Sequence, residues 1–192
     1  MTTTKFYAPT NIQTVDSFNE VIKKPSVPWQ YTEDILNSEN YAITQGPLTT
    51  VSGFWQEKFF TETSQVWATG YNIGNFGAVV GIEVQIGTQR KARIQDLIIQ
   101  LTLNGELIGD NYAILEQSSQ TDWNTGEYTT PAAPAKDIQL YGGPADMWGT
   151  ELTTADITDS SFGVVVSFKS NQVTPHSDLV YLNQIAVRIT YA

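Results

Sequence analysis

The chain has 192 residues, no cysteine, and 20 acidic against 10 basic side chains, for a formal charge of -10. That length is enough to bury a core without staples, and the missing cysteine excludes disulfides and thiolate metal sites and fits assembly in a reducing cytoplasm. The acidic balance repels phosphate, so no nucleic-acid partner is expected, and Arg90, Lys91 and Arg93 read as a solvated turn. The opening MTTTKFYAPT has no basic flank before an apolar run, and no apolar stretch approaches the roughly 20 residues a membrane helix requires. The expectation is a chain with no membrane partner and no signal-directed export.

Residues 1–48 read as an irregular N-terminal arm. Pro9, Pro25, Pro28 and Pro47 punctuate it, and its apolar residues come in small groups. Ser17 with Glu20 three residues on makes a capping box for a short helix in which Phe18, Val21 and Ile22 share a face, ended by Lys23, Lys24 and Pro25. A second turn starts at Thr32, with Glu33 and Asp34 at its positive end. An arm this poor in grouped apolar residues does not fold by its own burial. It either packs on its own domain or clasps a neighbouring subunit. The clasp is the expectation, since ordering costs on the order of 1 kcal/mol per residue. Phe18, Val21, Ile22, Trp29 and Tyr31 are then candidate partner contacts.

Residues 49–192 form the second unit, and their pattern is that of strands. SQVWAT from Ser64 to Thr69 is the first clear candidate, followed by the breaker-rich GYNIGNFGA from Gly70 to Ala78. Val80, Ile82, Val84 and Ile86 alternate with Gly81, Glu83 and Gln85, a half-buried strand. Leu97, Ile99, Leu101 and Leu103 alternate in the same way, and Asn104-Gly105 is the dipeptide of a two-residue type I′ hairpin leading into Glu106 to Ile108. Residues 117–136 form a long polar loop whose Trp123 and Tyr128 are further candidate contacts, for a sugar or for a protein neighbour.

From Asp137 the chain runs DIQLYGGPADMWGTELTTADITDSSFGVVVSF. Ile138, Leu140 and Tyr141 make a strand that Gly142, Gly143 and Pro144 stop. Met147 and Trp148 follow on a loop, and Trp148 is expected to plug one end of the fold. Thr154 is placed to cap a helical turn over Ala155, Asp156 and Ile157. Phe162, Val164, Val166 and Phe168 then put one apolar face on a core. In the closing run Leu179, Tyr181, Ile185, Val187, Ile189 and Tyr191 share a face, opposite Gln184, Arg188 and Thr190. Many short strands with turn chemistry between them and only one-turn helices predict an all-β chain, an antiparallel β-sandwich with jelly-roll-like connections.

The succession of TGYNIGNFGAVVGIEVQI, RIQDLIIQLTLNGELIG, YGGPADMWGTELTTADITDSSFGVVVSF and LNQIAVRITYA resembles a recurrent β-sandwich domain of tailed-phage virion and prophage proteins. The residues that carry it are Gly142, Gly143, Asp146, Trp148, Gly149, Thr153, Ala155, Asp156, Ile157, Phe162, Gly163 and Val164. The likeness covers about residues 60–192 and leaves the arm outside. Such domains serve as capsid decoration (cement) proteins and as tail or fibre components. The resemblance therefore implies a virion structural protein assembled in a host cytoplasm, with the major capsid protein, other virion proteins or its own copies as partners. It carries over no catalytic residue. The absence of heptads or long repeats tips the expectation from a receptor- or glycan-binding tail fibre toward the capsid surface or a compact tail-adaptor role, with the capsid surface preferred.

Catalytic readings are weaker. His176, the only histidine, sits in Thr174-Pro175-His176-Ser177-Asp178, and neighbouring loop positions do not produce triad geometry. No GxSxG, phosphate loop or dinucleotide fingerprint occurs. A lone histidine without cysteine leaves no zinc set, and Asp156 with Asp159 lacks EF-hand spacing, so helix capping is the preferred reading over calcium. A carboxylate pair for glycoside hydrolysis is a matter of spatial separation, which sequence leaves open. The expectation is no enzyme, no cofactor and no metal.

Overall fold

The computed structural model describes residues 1–16, 18–19, 24–36, 42–44, 50–52, 58–60, 62–74, 76–89, 94–113, 137–170 and 180–192. They are mostly strand. The first part of the chain gives β1 (Thr2–Thr3), β2 (Asn11–Val15), β3 (Phe18–Asn19), β4 (Lys24–Pro25) and β5 (Trp29–Gln30), then a 3-10 turn over Thr32–Leu36. Next come β6 (Ala42–Thr44), β7 (Thr50–Ser52), β8 (Lys58–Phe60), β9 (Gln65–Thr69), β10 (Val79–Gln89), β11 (Ile94–Leu103) and β12 (Glu106–Ile108). The last are β13 (Asp137–Gly142), α1 (Thr154–Thr158), β14 (Gly163–Ser170) and β15 (Tyr181–Tyr191).

Two antiparallel sheets hold most of these strands. One has the order β13-β10-β15-β6-β5, with β1 also on β15; the other runs β12-β11-β14-β9-β2. Between β9 and β15 the chain passes repeatedly from one sheet to the other, and a single buried apolar cluster joins the two. Ile82, Val84 and Ile86 of β10 and Ile185, Val187 and Ile189 of β15 enter it from one side. From the other sheet come Ile99 and Leu101 of β11 and Val164, Val166 and Phe168 of β14. The hairpin between β11 and β12 turns at Asn104 (φ 55°) and Gly105 (φ 80°), the positive angles that a type I′ turn demands.

Three register shifts change which residues face that core. Against β15, Val79 pairs with Tyr191 and Gly81 with Thr190, so Val80 is an extra residue. Leu97 is extra in β11, because Asp96 faces Phe168 and Ile98 faces Ser167. In β15 the extra residue is Asn183, between Leu182 opposite Thr88 and Gln184 opposite Gly87. A bulge advances the side-chain alternation by one. Val80, Leu97 and Tyr181, expected on the core face, are therefore only half-buried, while Ile94, Val180 and Leu182 are fully buried in the cluster.

The N-terminal segment is woven into both sheets. β2 pairs along its whole length with β9, β1 extends the ladder of β15, and Tyr7 bridges Val187. Trp29 is 6% exposed, lies edge-on to Phe168 with ring centroids 6.2 Å apart, and donates from Nε1 to the carbonyl of Ser64 at 2.8 Å. Ser64 also meets the Ser26 hydroxyl at 3.0 Å and donates to Asp16 at 2.6 Å. Ile35 of the 3-10 turn is buried in the same cluster. Arg188, paired with Glu83 across the β10–β15 ladder, lies 4.5 Å from the centroid of Phe6. Most of the described residues among 1–48 thus lie on their own sheets, a correction to the expectation that the arm reaches a neighbour instead. The helix expected around Phe18 is also corrected: Phe18 and Asn19 form a two-residue strand against Lys24 and Pro25. The turn expected at Thr32 is present.

Candidate interaction surface

The loop after β13 is locked from several directions. Gly142 has φ 73°, and a Cβ there would come within 2.4 Å of the Ile82 carbonyl and 2.5 Å of Trp148 Nε1, so only glycine ends the strand this way. Trp148 is fully buried, donates from Nε1 to the Ile82 carbonyl at 2.9 Å, and stacks on Tyr112 at 4.4 Å between centroids. Asp146 accepts from the Trp148 backbone N–H at 2.8 Å and from the Tyr112 hydroxyl at 2.9 Å. Burial pushes the Tyr112 phenol above its ordinary range, and the bond to Asp146 adds to the rise. Backbone bonds from Ile82 N–H to the Asp146 carbonyl, and from Asp110 N–H to the Trp148 carbonyl, complete the lock. Trp148 therefore works as the plug its Trp-Gly setting implies.

Just beyond it, Thr153 is the N-cap of α1, one residue before the expected Thr154. Its hydroxyl accepts from the Asp156 N–H while the Asp156 carboxylate accepts from the Thr153 N–H, a complete capping box. The Thr154 hydroxyl instead donates to the Gly77 carbonyl at 2.5 Å, tying α1 to the loop before β10. Hydrogen bonds from Thr153 hold the Asp156 carboxyl below the usual carboxylate range. A lowered folded value means that this carboxylate's stabilisation is present above the ordinary range and lost as pH falls through the lowered value. Thr153→Ala should cost about 1 kcal/mol, or roughly 2–4 °C in Tm, at neutral pH. The penalty should shrink in acid, as thermal melts at pH 7 and below the Asp156 transition will show.

The candidate contacts distribute unevenly. Val21, Ile22, Trp123 and Tyr128 lie outside the described residues, as does the side chain of Phe18. Trp29 is in the core. Tyr31 is 60% exposed, with φ 58°.

Sequence reading missed a different apolar surface. β13 ends its sheet among the described residues, and Ile138 and Leu140 stand 45% and 55% exposed on it. They flank Gln139, and Tyr141, the residue after Leu140, turns the other way, is buried, and donates to Asp96 at 2.8 Å. Their ladder partners on β10 are Gly87 and Gln85, so no large apolar side chain covers them from that strand. The period of two could have found this pair, because a core-facing Tyr141 sends Ile138 and Leu140 to the opposite face or to solvent. Edge strands are ordinarily blunted by charge or proline. An aliphatic edge is suited to burial against another protein, at about 1.5–3 kcal/mol for each side chain fully covered.

Comparison with family models, curated proteins and solved structures returns no match.

Proposed function

We propose that the chain is a non-enzymatic structural protein of a tailed-phage virion, a β-sandwich with jelly-roll-like connections that binds the outer capsid surface as a decoration or cement protein. The observation that carries the reading is the exposed aliphatic edge of β13, which leads directly into the locked Gly142-to-Gly149 loop. A contact strand anchored to a buried plug stays straight when it is loaded, as a clamp between virion proteins requires. The motif residues support it further: Gly142, Asp146, Trp148, Thr153 and Asp156 all act in the lock and the cap. Passage of the chain between two sheets is also what jelly-roll-like connections need. The partners on this reading are the major capsid protein and further copies of the chain.

Ile138→Lys with Leu140→Lys tests it. Both positions are exposed, so the double variant should melt within a few degrees of the parent. It should load onto virions at least tenfold less well in a competition against tagged parent protein. Equal loading would remove the edge of β13 from the interface and with it the observation on which this reading rests.

A further inference from the structure

The second sheet carries a groove beside Trp67. In cross-strand register, Asn11, Thr69, Gly163 and Thr102 form one row, and Gln13, Trp67, Val165 and Gln100 form the next. Gly163 contributes no side chain between Thr69 and Thr102. A Cβ there would come within 2.1 Å of the Ala68 carbonyl and 2.8 Å of Thr69 Cγ2. That glycine lets β14 and β9 approach closely, and beside them lies a cavity of about 260 Å³ lined by Asn11, Gln13, Trp67, Thr69 and Thr102. Gly105, Ser160 and Ser161 close its other end.

No lining residue is ionisable, although 20 acidic and 10 basic residues occur in the chain. Trp67 is half-buried beside the groove, and its Nε1 donates to Gln65 at 2.9 Å, two residues back on the same face of β9. That bond leans the indole along the strand and fixes its orientation before any ligand arrives. Around it the polar groups are partly free: Asn11 donates to the Thr69 hydroxyl at 3.1 Å, whereas the side chains of Gln13 and Ser160 bond to no other group among the described residues.

We infer that this groove binds a neutral saccharide chain, one pyranose ring at a time, with Trp67 as the stacking platform and Gln13, Thr69 and Ser160 as hydroxyl partners. A pyranose presents a face of C–H bonds, whose partial positive charge suits the negative face of an indole, and a rim of hydroxyls that amides and hydroxyls satisfy as both donors and acceptors. An uncharged lining disfavours phosphate, sialic or uronic groups, which would enter without a counter-charge. At about 260 Å³ the cavity falls just below the roughly 300–1,000 Å³ typical of small-molecule sites, so it holds one ring, and the neighbouring rings of the chain lie outside it. This binding does not depend on the capsid assignment, since the face is that of the sheet opposite the one that carries β13.

The test is titration of the full-length protein with neutral hexasaccharides of glucose, galactose, mannose and N-acetylglucosamine in α and β linkage, followed by calorimetry and by Trp fluorescence. At least one should bind, with an affinity that changes less than twofold between low and high salt. Trp67→Ala should weaken it tenfold or more and Gln13→Ala about threefold, while Trp67→Tyr retains part of the affinity and guards against loss of folding. Ile138→Lys should leave it unchanged. Failure of every hexasaccharide to bind the parent, undiminished binding by Trp67→Ala, or binding that salt abolishes would each overturn the inference. Loss of virion loading by Trp67→Ala without any saccharide binding would do so too, by making this face a protein contact.

Discussion

Val166→Asp is expected to yield no soluble folded protein. Val166 is fully buried in the middle of β14, opposite Ile99 of β11 and Val66 of β9, which are both buried as well. It shares the inner face with Val164 and Phe168. A carboxylate at that point has no counter-charge among these neighbours, and an unpaired buried charge costs at least several kcal/mol. A domain is stable by only about 5–15 kcal/mol in total. Val166→Ala removes two methyl groups and should cost about 2 kcal/mol, so it should fold with a lowered Tm. Soluble expression and a thermal melt of both variants check this. Parental melting of the Asp variant would mean that β14 faces the core through Val165 and Ser167 instead.

Deleting residues 1–40 should be nearly as damaging. The deletion removes β1 and β2 and uncovers the edges of β15 and β9 along their ladders. It also strips Trp29 and Ile35 from the core. Loss of a buried Trp alone costs about 3–5 kcal/mol, and two uncovered strand edges are templates for aggregation. The truncated chain should show no cooperative melt and should elute from a sizing column as aggregate. Trp29→Ala alone should fold with Tm lowered by roughly 6–20 °C. A truncated chain that melts like the full one would show that the N-terminal strands add nothing to the body.

How far these results were visible in the sequence depended on whether the side-chain period ran unbroken. Val164, Val166 and Phe168 alternate without interruption, and the strand and its core face follow from spacing alone. In β10, β11 and β15 the alternation is equally clear to the eye, but Val80, Leu97 and Asn183 are each inserted against a shorter partner. A bulge is a property of two strands together, so neither strand's own pattern announces it. The N-terminal segment failed for a related reason. Trp29 is anchored by Ser64 and Phe168, contacts of long sequence separation that local apolar grouping does not register. The N-cap of α1 was misplaced by one residue because Thr153 and Thr154 are equally good caps by type. What separates them is the reciprocal bond between Thr153 and Asp156. Of the surface, Ile138 and Leu140 were legible as strand residues, whereas the Trp67 groove depends on residues of β2, β9, β11 and the segment after α1 brought together only by the fold.

The central claim is that the protein sits on the outside of a capsid. Its most direct test is labelling of intact phage particles, purified from a culture in which the chain is produced, with a gold-conjugated antibody fragment raised against the folded protein and viewed by electron microscopy. The account predicts label distributed over the head surface. Label confined to the tail, or particles that carry none, would contradict it.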